Sequence, residues 1–251
     1  MQAIYTAATG LRAQQNRLDT ISSNISNVNT AGYKSTRVDF KDALYTLMEN
    51  PVGDSMESNL LTGSGVLLNA TTTDFSEGRL EVTNSVLDFA IIGEGFFTLE
   101  NPQGEILYTR NGSFSLSAEG DVNYLVSPQG YYVLDKDGNR IALPKDLNGL
   151  SIERGATLRN ADGELATLGI VTFPNNDGLL AVGQTCYQPS EASGEPAPLE
   201  DARVDQGKIE SSNVDLAQEL TLLIRSQRAY SLASRALKTA DDMDGLANSI
   251  R

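Results

Sequence analysis

Apolar residues recur at heptad spacing at both ends of this chain, and the stretch between the two ends follows a different pattern. Ile4, Leu11, Leu18 and Ile25 are each followed three residues later by Ala7, Gln14, Ile21 and Val28. Residues 214–250 repeat the stripe with Leu216, Leu223, Tyr230 and Leu237, joined by Leu220. Alternating steps of three and four put one apolar seam along a helix and favour a partner helix of the same kind. The spacing therefore predicts two long amphipathic helices that pair as a coiled coil and bring the ends of the chain together. It also predicts further apolar surface that only other copies of the chain would cover.

Punctuation sets the expected boundaries. Gly32, just past Asn29-Thr30-Ala31, offers a left-handed C-cap that would end the first helix near Val28 or Asn29. Ser211, Ser212 and Asn213 offer an N-cap before Leu216, and Asp215 and Glu219 then meet the positive end of the helix dipole. At 1.5 Å per residue the helices would reach on the order of 40 and 55 Å. Amides interrupt both seams, at Gln14, Asn24, Asn27, Asn29 and Gln227. Such groups cost stability when buried without partners, and they fix register when partnered.

Composition removes several classes of function. At 251 residues and 40% hydrophobic, the chain has enough apolar surface for a substantial core. Its net charge of −14 argues against nucleic acid and against anionic membranes, both of which are held by clustered Lys and Arg. The charge is uneven. Residues 1–35 carry three bases and one acid and residues 212–251 carry five of each, so the interior carries −16. With no His and a single Cys186 there is no intramolecular disulfide, no soft-metal site and no Ser-His or Cys-His nucleophile. No cofactor or metal is expected. The first residues lack the basic flank and apolar core of a cleaved signal peptide, and no run of about 18 apolar residues is present.

From Phe89 to Val182, short runs rich in β-branched and aromatic residues alternate with turns at Pro102-Gln103-Gly104, Glu119-Gly120, Pro128-Gln129-Gly130 and Asp137-Gly138. Runs such as Gly95-Phe96-Phe97-Thr98-Leu99 and Gly130-Tyr131-Tyr132-Val133-Leu134 read as hairpin strands, which predicts an antiparallel barrel or sandwich. The fold class is therefore α+β. Its organisation is a terminal helical domain (1–35 with 212–251), an extended connector (36–75 with 200–211) and a β-rich outer domain (76–199). Within the connector, Val38, Phe40, Ala43, Leu44, Leu47 and Met48 keep a spacing compatible with a short helix, and Pro51 and Gly53 favour extension beyond it.

Two motif-like stretches carry little chemistry. Asp135-Lys136-Asp137-Gly138 lacks the alternating acids, sixth-position Gly and twelfth-position Glu of an EF-hand and reads as a turn. Gly93-Glu94-Gly95 lacks the third Gly of a dinucleotide fingerprint and leads into a strand. A glycosidase needs a specific carboxylate pair, and the sequence singles out none.

The run Ala8-Thr9-Gly10-Leu11-Arg12 through Asn24-Ile25-Ser26-Asn27-Val28-Asn29-Thr30-Ala31-Gly32-Tyr33-Lys34 resembles the N-terminal signature of bacterial flagellar rod and hook proteins. Three later blocks are similar to the same family and follow in its order. They are Ile92-Gly93-Glu94-Gly95-Phe96-Phe97, Tyr108-Thr109-Arg110-Asn111-Gly112-Ser113-Phe114, and Glu210-Ser211-Ser212-Asn213-Val214-Asp215 running to Gln227-Arg228-Ala229-Tyr230. The resemblance implies a structural subunit of the basal-body rod in the cell envelope. Copies would stack through paired terminal helices into a hollow drive shaft, with the β-rich domain outside.

By the same resemblance the partners are further copies of the chain, neighbouring rod and hook proteins, and the flagellar type III export apparatus, which needs no cleaved signal. Stripe and resemblance together assign subunit packing to Ile4, Leu11, Leu18, Ile21, Asn24, Ile25, Asn27, Val28, Gly32, Asn213, Leu216, Leu220, Leu223, Gln227, Tyr230 and Leu237. The outer-domain motif is Gly93, Gly95, Phe96, Phe97, Arg110, Asn111, Gly112 and Phe114. The alternative, from a different class, is a surface adhesin presenting an acidic β-head on an oligomerising coiled coil.

Overall fold

A computed structural model describes residues 2–47, 61–120, 122–144, 149–160, 163–183, 185–199 and 201–249. Met48, Pro51 and Gly53 lie outside the described residues. The chain forms two compact units, one made of Met1–Ser26, Thr36–Asp74 and Asp215–Arg251, the other of Asn27–Ser35 and Phe75–Val214.

The first unit holds two long helices, α1 (Gln2–Ser26) and α2 (Leu216–Ser249), which pack on each other. Ala13, Ile21 and Asn24 are the buried positions of α1, and Ser226 is the buried position of α2. Around Ser226, Leu223, Ala229, Ala233 and Leu237 are half-buried, so small side chains at 226, 229 and 233 let the helices approach closely. Leu216, Leu220, Gln227 and Tyr230 are exposed instead.

The helix ends differ from expectation. α1 stops at Ser26, because buried Asn27 starts a turn in which its carbonyl accepts from Thr30 N at 3.1 Å and its side chain from Thr30 Oγ1 at 3.2 Å. At the other end the cap is Asp215, whose Oδ1 accepts from Ala217 N at 2.9 Å and Gln218 N at 3.1 Å. A carboxylate one residue before the first helical turn satisfies orphan amides and complements the dipole in one group. Ser211, Ser212 and Asn213 lie too far upstream for that task.

The predicted short helix near residues 38–49 is replaced, through residue 47, by strands. Thr36–Asp42 pairs antiparallel with Val66–Thr73, with a bulge at Asp39/Phe40, and Tyr45–Leu47 pairs with Leu61–Gly63. The facing residues Thr36 and Thr73, and Val38 and Thr71, are β-branched cross-strand pairs, and they outweigh a weak helical period. α1 packs on both Thr36–Asp42 and Val66–Thr73.

The second unit is built on a ten-stranded sheet, and every strand pairing in it is antiparallel. Phe96–Glu100 pairs with Ile106–Thr109, Tyr132–Val133 and Ile170–Thr172. Because side chains alternate along a strand, Phe97 and Leu99 enter the main core with Phe89, Leu107, Phe114, Leu125 and Leu158, while Phe96 points the other way. There it joins Tyr108, Phe173 and Tyr187, packed edge to face, with ring centroids 5.8 Å apart for Phe96 and Phe173 and 4.9 Å for Tyr108 and Phe173. Adjacent aromatics are both buried because this strand is covered on both sides. Two further antiparallel pairs lead toward the site: Phe89–Ile92 with Arg203–Gln206, and Leu80–Val82 with Lys208–Glu210.

Candidate functional site

Glu210 closes the short strand Lys208–Glu210, and its carboxylate gathers three distant stretches of the β-rich unit. Oε1 accepts from Lys34 Nζ at 2.6 Å and from Gly78 N at 2.8 Å, and Oε2 accepts from Arg110 Nε at 2.9 Å. All three charged side chains are at most 4% exposed. Lys34 Nζ also donates to Ser76 O at 2.6 Å, and Arg110 Nη1 donates to Gly93 O at 2.9 Å and Gly95 O at 2.7 Å. A buried ion cluster of this kind holds only when the remaining donors and acceptors are also satisfied, and here backbone carbonyls take the remaining protons. Burial alone would push the Glu210 carboxyl up. The adjacent charges of Arg110 and Lys34, with hydrogen bonds from Lys34 and Gly78, hold it below its ordinary value.

The backbone repeats the same connection. Gly32 N donates to Glu210 O at 2.7 Å, and Gly32 has φ +68°. A Cβ at Gly32 would lie 2.4 Å from Asn111 N, and one at Gly112 would lie 1.7 Å from Phe89 O. Gly32 is therefore not the cap of α1, which ends six residues earlier. It is the point where residues 27–35 lie against the Arg110-Asn111-Gly112 turn, and only a residue without a side chain fits. Asn213 makes the next stitch. Its Oδ1 accepts from Ser35 N at 2.7 Å and its Nδ2 donates to Ser76 Oγ at 3.2 Å. The chain that leaves α1 and the chain about to enter α2 are thus both fastened inside the β-rich unit.

In the helical unit the equivalent polar junction is Asn24, 1% exposed. Its Nδ2 donates to Thr36 O at 2.8 Å and Glu219 Oε1 at 3.0 Å, and its Oδ1 accepts from Thr36 N at 3.0 Å. The buried amide is satisfied by a strand edge and by α2.

The structure brings Gly93, Gly95, Arg110 and Gly32 into one cluster, with Asn111, Gly112, Phe97 and Phe114 beside or beneath it. Ile4, Leu11, Leu18, Ile25 and Val28 are half-buried, and Ile21 is buried. Sequence reasoning missed Lys34 and Glu210 as site residues, although both fall inside quoted blocks. Their pairing spans 176 residues, and a lone Lys and a lone Glu carry no local signal for it. Cys186 is buried, which pushes its thiol up and away from thiolate reactivity. The arrangement holds segments in place.

Three family models match the chain in order. They are a flagella basal body rod protein model over residues 4–34, the D1 domain of the flagellar hook proteins FlgE/F/G over 90–167, and the C-terminal region of the flagellar basal body rod FlgEFG proteins over 205–250. The knot draws Lys34, Arg110 and Glu210 from one match each, and a chain with these three matches sewn together in this way belongs to the flagellar basal-body rod protein family.

Within that family it is similar over its whole length to proteins named flagellar basal-body rod protein FlgG. It is 36% identical to that of Borreliella burgdorferi (100% of this chain, 99% of the relative). It is 35% identical to that of Buchnera aphidicola subsp. Baizongia pistaciae (96% of each) and 36% identical to that of Agrobacterium fabrum (99% and 98%). The chain is a FlgG-like structural subunit of the flagellar basal-body rod, and not an enzyme. The adhesin alternative finds no support among these relatives.

Proposed function

We propose that this chain polymerises helically with copies of itself through its terminal helices, paired as a coiled coil, to form a segment of the hollow drive shaft. Neighbouring rod and hook proteins abut its ends, and the subunit reaches its place through the flagellar type III export apparatus without a cleaved signal. In this reading residues 1–35 with 212–251 form the inner, polymerising domain. Residues 36–75 with 200–211 connect it to an outer, barrel- or sandwich-like domain over 76–199.

One observation carries the reading: α2 leaves Leu216, Leu220, Ile224 and Leu232 between 42% and 61% exposed. Isolated surface leucines are ordinary, but four on one helix form an apolar strip that the monomer leaves wet. Ile224 and Leu232 also border a groove of about 400 Å³ with Gln227, Arg228, Ser231 and Arg235. The assigned packing residues on α1, from Ile4 to Ile25, then serve the pairing of the helices, and the exposed residues of α2 serve the lattice.

The test is electron microscopy of purified protein under polymerising conditions, with Leu220→Asp and Leu232→Asp beside the unmodified chain. Straight tubes from the unmodified chain, and none from variants whose circular dichroism is unchanged, are the expected outcome. Tubes formed equally well by both variants would remove the proposal's basis.

A further inference from the structure

A cleft of about 280 Å³ opens beside the Gly93–Gly95 loop in the β-rich unit, lined in part by Phe75, Glu77, Glu94, Phe96, Arg110 and Asn176. The cationic group in this wall is already committed. Arg110 gives Nε to Glu210 and Nη1 to the carbonyls of Gly93 and Gly95. Holding both carbonyls fixes the loop, and the side chain the loop presents, Glu94, is exposed and has no hydrogen bond or ion pair among the described residues. Glu77 accepts one bond, from Gly93 N, and stays exposed. Asn176 Oδ1 is buried and lacks a donor. Acceptors left open along this wall therefore include two charged carboxylates. The remaining wall includes Ser76 and Phe75, whose ring packs edge to face on the buried Phe96 at 5.5 Å.

We propose that this cleft receives a basic side chain of another polypeptide, an arginine above all. A guanidinium has five donors in a plane, which suits two carboxylates and an amide oxygen, and its aliphatic stem and flat face suit the half-buried ring of Phe75. An anionic ligand would meet Glu77 and Glu94 with no free cation to hold it. A bare inorganic cation would leave the Phe75 ring without a role.

The probe is Nα-acetyl-arginine methylamide, titrated into the full-length ¹⁵N-labelled chain under non-polymerising conditions. Saturable shifts of the Gly93 and Gly95 amides and of the Asn176 side-chain amide are expected. Glu94→Gln should weaken binding by about tenfold or more, the scale of one charge-assisted hydrogen bond. Glu94 is exposed, so the variant's own spectrum reports its fold. The citrulline analogue, in which an uncharged urea replaces the guanidinium, should bind far more weakly. Shifts that do not saturate, citrulline binding as tightly, or an unaffected Glu94→Gln variant would each overturn the proposal. Guanidinium chloride matching the arginine derivative in affinity would also overturn it, by showing that the stem adds nothing.

Discussion

The two units of this protein differ most in how much apolar side chain they bury. In the β-rich unit Lys34, Arg110 and Glu210 lie almost wholly out of water and hold one another, above a core in which Phe89, Phe97, Leu99 and Leu125 have no exposure. In the helical unit, among the described residues, Ala13 and Ile21 are the buried apolar side chains, at 8% and 4% exposure, and Gln14 Oε1 and Glu219 Oε2 are buried with no partner. The β-rich unit encloses a core of its own, although Asn176 Oδ1 and Thr185 Oγ1 there are also buried without a partner. The helical unit buries little apolar side chain and leaves Leu216, Leu220, Ile224 and Leu232 exposed.

The contrast breaks most sharply at Glu210. Glu210→Gln leaves two buried cations facing a neutral amide, and the β-rich unit should lose about 3–5 kcal/mol in urea denaturation. A loss below about 1 kcal/mol would mean that the knot is incidental. Acid should act through the same group. Its carboxyl lies lower in the folded protein than in the unfolded chain, so its contribution is fully present above the ordinary carboxylate range, near pH 4.5. That contribution should fall away as pH drops through the lower folded value, and the fall should be absent from the Glu210→Gln variant.

Gly32→Ala meets both a positive φ and the Asn111 backbone, and a cost of about 2–3 kcal/mol in the same assay is expected. Asn24→Ala moves the comparison to the other unit. It strips partners from Thr36 and Glu219 and should cost about 1–3 kcal/mol, seen as earlier loss of helical circular dichroism while the aromatic signal of the β-rich core persists. Coincident loss of both signals would show that the units fold as one. Smallest is Asp215→Ala, which removes the cap of α2 for about 1 kcal/mol.

Legibility in the sequence followed the range of the forces involved. Runs of β-branched and aromatic residues between turns marked Phe96–Glu100 and Tyr132–Val133 as strands, and heptad spacing marked both helices, because each pattern is written within a few residues. Gly32 was recognised as special for a conformational reason that holds, its positive φ, while its second reason, contact with Asn111, lies nearly 80 residues away. Asp215 was seen near the start of α2 but given the dipole role, with the cap assigned upstream to residues that instead stitch the β-rich unit. Thr36–Asp42 misled because its partner, Val66–Thr73, lies across a stretch with no turn signal tight enough to announce a hairpin. Arg110 stood out inside a motif. Lys34 and Glu210 did not, since an ion pair between remote residues leaves no periodic trace.

The position of Glu210 along the chain has a consequence for the moment at which folding can finish. It lies 176 residues after Lys34 and 100 after Arg110. A growing or threading polypeptide therefore carries both bases without their counter-charge until nearly all of it has emerged. Closure at so late a residue should act as a latch against premature maturation. A product truncated after residue 205 should remain loosely packed, with poor dispersion of its amide resonances. Restoring residues 206–214 should sharpen those resonances, and sharp spectra from the shorter product would show that the latch has no such effect.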